Sequence, residues 1–223
     1  VSEAQDMNHP EEDEGELFAV SAGLPGGWFE VTLAEGTVGE ATARAEQVLA
    51  AMNPLELQVR EHTLKKDVVE RALAAHEQNP VLSAVCYTTA GEWAASLDIV
   101  GFAPDGGRPE PVDMARMLYD WEDATMVAAP EVTFPELPSG PSARVRGTYR
   151  KDRRRLFGRQ MAEFVRYAIY SPDIRSLVVM TATWNKFAVD DEVAASVDVI
   201  ARGLEIESGE TASEGAVHRE DRG

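Results

Sequence analysis

Cysteine is all but absent: Cys86 stands alone among 223 residues, which excludes an internal disulfide framework and every multi-cysteine zinc or iron–sulfur site. Histidine is nearly as sparse. His9, His62, His76 and His218 fall in no HExxH or H-x₃₋₅-H spacing. His62 and His76 would stand about four helical turns apart on one helix, too far to share an ion. Apolar runs reach only a few residues, so no segment is expected to span a membrane. The start at Val1 shows neither a basic nor an apolar leader region, and a cytoplasmic location is the default expectation. No G-x-S-x-G, Walker A or G-x-G-x-x-G pattern occurs; Gly23 to Gly27 and Gly106-Gly107 read as turn chemistry. No metal, no cofactor and no enzymatic activity are expected.

Acidic charge is what the chain has in excess. Thirty-nine Asp and Glu against 21 Lys and Arg give a formal net charge of −18. Residues 1–16 hold seven acids and no Lys or Arg, and residues 205–223 hold six acids and two arginines. Neither end has an apolar period that could offset the entropy of ordering, so both read as disordered acidic tails around one globular domain, 17–204. Within that domain the proline-rich stretch 130–142 (Pro130, Pro135, Pro138, Pro141) reads as an extended loop joining two halves.

Periodicity gives an α+β reading. Leu17 to Ala22 and Trp28 to Leu33 suit two strands of a hairpin about the glycine-rich turn. Thr37-Val38-Gly39-Glu40 has capping-box spacing ahead of a helix carrying Val38, Ala41, Ala45, Val48 and Met52. Leu55 to Glu61 fits strand and helix alike. Thr63 is a candidate cap for a second helix through Leu64, Val68, Ala72 and Leu73. Val81 to Thr88 and Trp93 to Phe102 follow as strands, then a short helix, Val112 to Asp123. Beyond the proline loop, Ala143 to Arg150, Gln160 to Tyr170 and Ser176 to Trp184 read as strands. A closing helix puts Val193, Val197, Ile200 and Leu204 on one stripe, with Asp190 and Asp191 at its start, where negative charge is favourable.

Several of these residues carry a family likeness. Gly158-Arg159-Gln160, Glu163-Phe164-Val165-Arg166-Tyr167, the turn at Pro172-Asp173, the strand Leu177 to Thr183 and the helix Val189 to Leu204 together resemble the C-terminal part of the Mog1/PsbP-like fold group. Trp28 after its Pro-Gly-Gly turn is similar to that group's early P-x-x-W hairpin. The resemblance implies an antiparallel sheet sandwiched by helices in a single domain. It also implies binding rather than catalysis, since members include photosystem assembly proteins, a nuclear-import regulator, bacterial lipoproteins and secretion chaperones. No catalytic residue carries over. The segment Leu55 to Ala75 and the acidic ends have no counterpart in that pattern.

One charge cluster stands out. Arg144, Arg146, Arg150, Lys151, Arg153, Arg154, Arg155 and Arg159 put eight basic residues in 16 positions against one acid, Asp152. In an otherwise acidic chain this makes a local field suited to an acidic partner, with arginine forks matched to carboxylate or phosphate. The expected function is therefore a protein-binding module, adaptor or chaperone-like, that takes an acidic partner through this segment. Neutralisation of the protein's own acidic tails is the plainer alternative. Nucleic acid is disfavoured by the net charge and by the near absence of aromatics beside the arginines. Asp120, Glu122 and Asp123 around Trp121 keep open a carboxylate-dependent hydrolase, against the simpler reading of a solvated helix end. Cys86, inside a strand, reads as a small buried hydrophobe.

Overall fold

The computed structural model describes residues 16–103, 109–120, 124–151, 160–185 and 189–209. Two chain segments far apart in sequence open and close it. Strand β1 (Phe18–Ala22) pairs antiparallel with β11 (Leu204–Ser208), Val20 opposite Ile206. The main sheet runs in the order β2 (Trp28–Glu30), β3 (Leu82–Tyr87), β4 (Trp93–Phe102), β10 (Leu177–Trp184), β9 (Gln160–Ile169), β8 (Gly140–Lys151) and β5 (Ala124–Met126). Two further short strands, β6 (Glu131–Thr133) and β7 (Glu136–Leu137), also pair with β8, and every pairing is antiparallel. The fold is thus α+β in a single domain, with helices on both faces of an antiparallel sheet.

Alternation along the strands divides the core in two. One face carries Ala95, Leu97 and Ile99 of β4, Val178, Met180, Ala182 and Trp184 of β10, and Val165, Tyr167 and Ile169 of β9. Helix α4 (Asp190–Arg202) covers it with Val193, Ala194, Val197, Ile200 and Ala201. On the opposite face, α1 (Val38–Ala51) and α2 (Glu61–His76) lie over Val31, Leu33, Val85 and Tyr87 at one end. At the other end α3 (Pro111–Met117) covers Ala143, Val145, Phe164 and Ala168.

Local chemistry sets the helix starts. The Thr37 hydroxyl accepts from the Glu40 N–H at 3.2 Å, as a capping Thr should. The Glu40 carboxylate does not return to Thr37; it accepts from the N–H groups of Ala34 (2.6 Å) and Glu35 (3.1 Å), tying the preceding loop to the helix. Helix α2 begins at Glu61, ahead of the expected cap Thr63, and has no side-chain cap. No helix among the described residues is long and apolar enough to cross a membrane.

Four expectations are corrected. Strands β1 and β2 do not form a hairpin, because Phe18 to Ala22 find their partners in Leu204 to Ser208, at the far end of the chain. The C-terminal tail does not start at 205: Leu204 and Ile206 are buried in β11, while Glu205 and Glu207 face outward. The proline-rich loop 130–142 is part of the sheet, since β6 and β7 add to its margin, where proline is tolerated. The short helix stops at Met117, well before Asp123. The remaining residues of the two acidic ends, 1–15 and 210–223, lie outside the described residues, as do 104–108, 121–123, 152–159 and 186–188.

Candidate functional site

Strand β8 supplies the described part of the basic cluster, and its pleat decides what each arginine meets. Arg144 and Arg146 point to the face covered by α4; Val145 between them points to α3. Arg144, only 9% exposed, donates from Nε to Asp198 Oδ1 (2.9 Å) and from Nη2 to Asp198 Oδ2 (3.2 Å). Its Nη1 donates to Glu131 of β6 at 3.4 Å, and the Tyr167 hydroxyl donates to Asp198 Oδ1 at 2.7 Å. Burial works against the guanidinium charge, but the bond and charge of Asp198, with Tyr167 and Glu131, outweigh it and hold Arg144 above its ordinary pKa. Arg146 donates from Nη2 to Asp190 Oδ2 (2.8 Å) and Asp191 Oδ1 (2.9 Å) in the first turn of α4. Asp190 also accepts from the Trp184 indole N–H at 2.8 Å.

The basic cluster is therefore divided. Arg144 and Arg146 are clamps inside the fold, and the acids they meet belong to α4 and β6, not to the tails. Arg150 follows on β8, opposite Met161 of β9 and Thr125 of β5. Lys151 ends the strand opposite Gln160. Arg153, Arg154, Arg155 and Arg159 lie outside the described residues, between the ends of β8 and β9.

The other candidates separate as well. Asp120 is exposed just past α3, and Glu122 and Asp123 lie outside the described residues. His62 is exposed on α2, whereas the Nδ1 of His76 sits 3.1 Å from the Leu33 carbonyl. Cys86 is half-buried in β3, and burial pushes its thiol up to about 11.

A polar row escaped the reading of the sequence. Ser83, Asp98, Thr181 and Arg166 are successive cross-strand partners over β3, β4, β10 and β9. They lie on the face shared by α1, α2 and α3, and all but Ser83 are half-buried. The Ser83 hydroxyl donates to Asp98 Oδ1 at 2.6 Å. Burial raises the Asp98 carboxyl above its ordinary value, against the pull of that hydroxyl. Arg166 donates to the Leu118 carbonyl at the end of α3 (3.1 Å), and burial draws it down to about 10. The signal in the sequence was the alternation Ser96-Leu97-Asp98-Ile99, which puts a carboxylate among strand residues. Among known proteins, no protein-family model and no curated protein matches the chain.

Proposed function

We propose that this chain is a non-enzymatic binding protein, an adaptor or chaperone-like module, that takes an acidic protein partner through the β8–β9 end of its sheet. The observation that carries this reading is the division of the arginines. Arg144 and Arg146 are held by Asp198, Glu131, Asp190 and Asp191, so they serve the fold. The other basic residues assigned to a partner are Lys151, Arg153, Arg154, Arg155 and Arg159, five against Asp152 within nine positions. Strands β8 and β9 stay in register up to Lys151 opposite Gln160, which brings both flanks of that segment to one end of the sheet. A basic segment in a chain of net charge −18 steers acidic surfaces toward one place and repels them elsewhere. Helices on both faces of an antiparallel sheet also suit the proposed kinship with the Mog1/PsbP-like group. A cytoplasmic setting belongs to the same proposal.

Affinity capture from the source cell's extract tests it, run at low salt and at ~0.5 M salt, where exposed charge contacts are screened. A stoichiometric acidic protein held at low salt and released at high salt is the expected result. Absence of a partner at both salts contradicts the proposal.

A further inference from the structure

The face opposite α4 is not evenly covered. Under α1 and α2 the packed strand residues come from β2–β3, the chain just after β2 and Trp93 at the start of β4, and under α3 they come from β8, β9 and the Leu177 and Val179 positions of β10. Between these two helical walls, the central strands present Ser96 and Asp98 of β4 and Thr181 and Thr183 of β10, all half-buried and none in a core cluster. The same two strands turn Leu97, Ile99, Met180 and Ala182, fully buried, to the other face. A sheet face shut off from solvent would carry apolar residues here as well. Among the described residues it forms a trough with a polar floor.

The geometry points to a second site, in which this trough binds the primary ammonium group of a small organic amine. Asp98 and Thr181 are direct cross-strand partners, and Ser96 stands directly opposite Thr183 beside them. Direct partners place their Cβ atoms about 4.5–5.5 Å apart. Side chains this close on one face can both reach a single nitrogen within hydrogen-bond range. An ammonium brings three donors and no acceptor, and it finds here the Asp98 carboxylate with Thr181 and Ser83 as its cross-strand neighbours and Thr183 on the same face, while Ser96 already accepts from the Trp93 indole N–H at 3.2 Å. Asp98 receives the Ser83 hydroxyl on Oδ1, and no cation is paired with it among the described residues. A single carboxylate among hydroxyls suits a monovalent organic cation better than a divalent metal, which gathers more oxygen ligands and charge. The net charge of −18 concentrates cations around the whole molecule. This site is independent of the basic β8–β9 segment and lies on the other face of the sheet from the Arg144 and Arg146 clamps.

The test is a titration of the full ¹⁵N-labelled chain with n-butylammonium chloride, followed by amide shifts, beside n-butanol and sodium chloride as controls. Saturable shifts at Ser96, Asp98 and Thr181 with the amine alone are expected. Binding should weaken at least tenfold in Asp98→Asn, which keeps the shape and an acceptor for Ser83, and at least threefold in Thr181→Val. Shifts that do not saturate, shifts matched by n-butanol, or unchanged affinity in both variants would overturn the proposal. Should Asp98→Asn fail to fold, Thr181→Val decides alone.

Discussion

Arg144 grips both carboxylate oxygens of Asp198, at 2.9 and 3.2 Å, across 54 residues of chain. With the Tyr167 hydroxyl on the same carboxylate, strands β8 and β9 and helix α4 are locked at one point. Removing Asp198 strands a buried guanidinium, whereas replacing the whole pair by apolar residues removes the desolvation cost as well. Asp198→Ala should therefore cost about 3 kcal/mol, whereas Arg144→Met with Asp198→Leu should lie near wild type. Urea midpoints of the three proteins check this. Equal losses in the single and double variants would contradict it.

Asp98 sets a pH dependence of known sign. Its folded carboxyl is raised by burial, so between its ordinary value near 3.8 and the raised one the folded state holds more proton than the unfolded state. Its contribution to stability therefore falls as pH rises through that window, and recovers as the carboxyl is protonated. Asp98→Asn removes this term. The stability of the variant relative to wild type should accordingly increase from pH 4 to pH 7 in denaturant titrations. A constant difference, or one of opposite slope, would show that Asp98 is not desolvated as described.

The Cys86 thiol, pushed up to about 11, is predicted to be inert. At pH 8 roughly one molecule in a thousand would carry thiolate, far less than for a free cysteine. A chromogenic disulfide reagent should react at least tenfold more slowly with the native protein than with the urea-unfolded chain. Equal rates would place the thiol at the surface.

Gly140 opens β8 at φ +133°, and a Cβ there would lie 1.8 Å from the Tyr170 carbonyl oxygen. That neighbour is backbone and has no rotamer to escape into. Gly140→Ala should cost at least about 2 kcal/mol from strain alone. Gly26→Ala, with open space around its Cβ, serves as the control and should change the thermal midpoint little. Similar midpoints in both variants would contradict the close approach.

What could be read from the sequence was what neighbours in sequence decide. The Thr37 cap, the alternation of Phe164 to Ile169 and the apolar stripe of α1 rest on local geometry, and the structure has them, except that Val38 at the head of the stripe is exposed while Ala41, Ala45, Val48 and Met52 are buried. Partner choice is not local. Phe18 to Ala22 stand beside a glycine-rich turn that suggests a hairpin, yet they pair with Leu204 to Ser208. That strand was hidden because Glu205 and Glu207 dominate its composition, although Leu204 and Ile206 keep the period of two. The arginines show the same limit. Nothing near Arg144 or Arg146 in the sequence names Asp198 or Asp190 as partners, so two fold-holding clamps looked like part of an open basic surface. The row Ser83–Asp98–Thr181–Arg166 exists only once four strands are in register.

The central claim is that the basic residues beyond the clamps, and not the clamps themselves, hold a partner. The most direct measurement compares capture of the low-salt partner by wild type and by Arg153→Ala/Arg154→Ala/Arg155→Ala, with the urea midpoint of each recorded beside it. The claim predicts loss of the partner with an unchanged midpoint. Undiminished capture by the triple variant would contradict it.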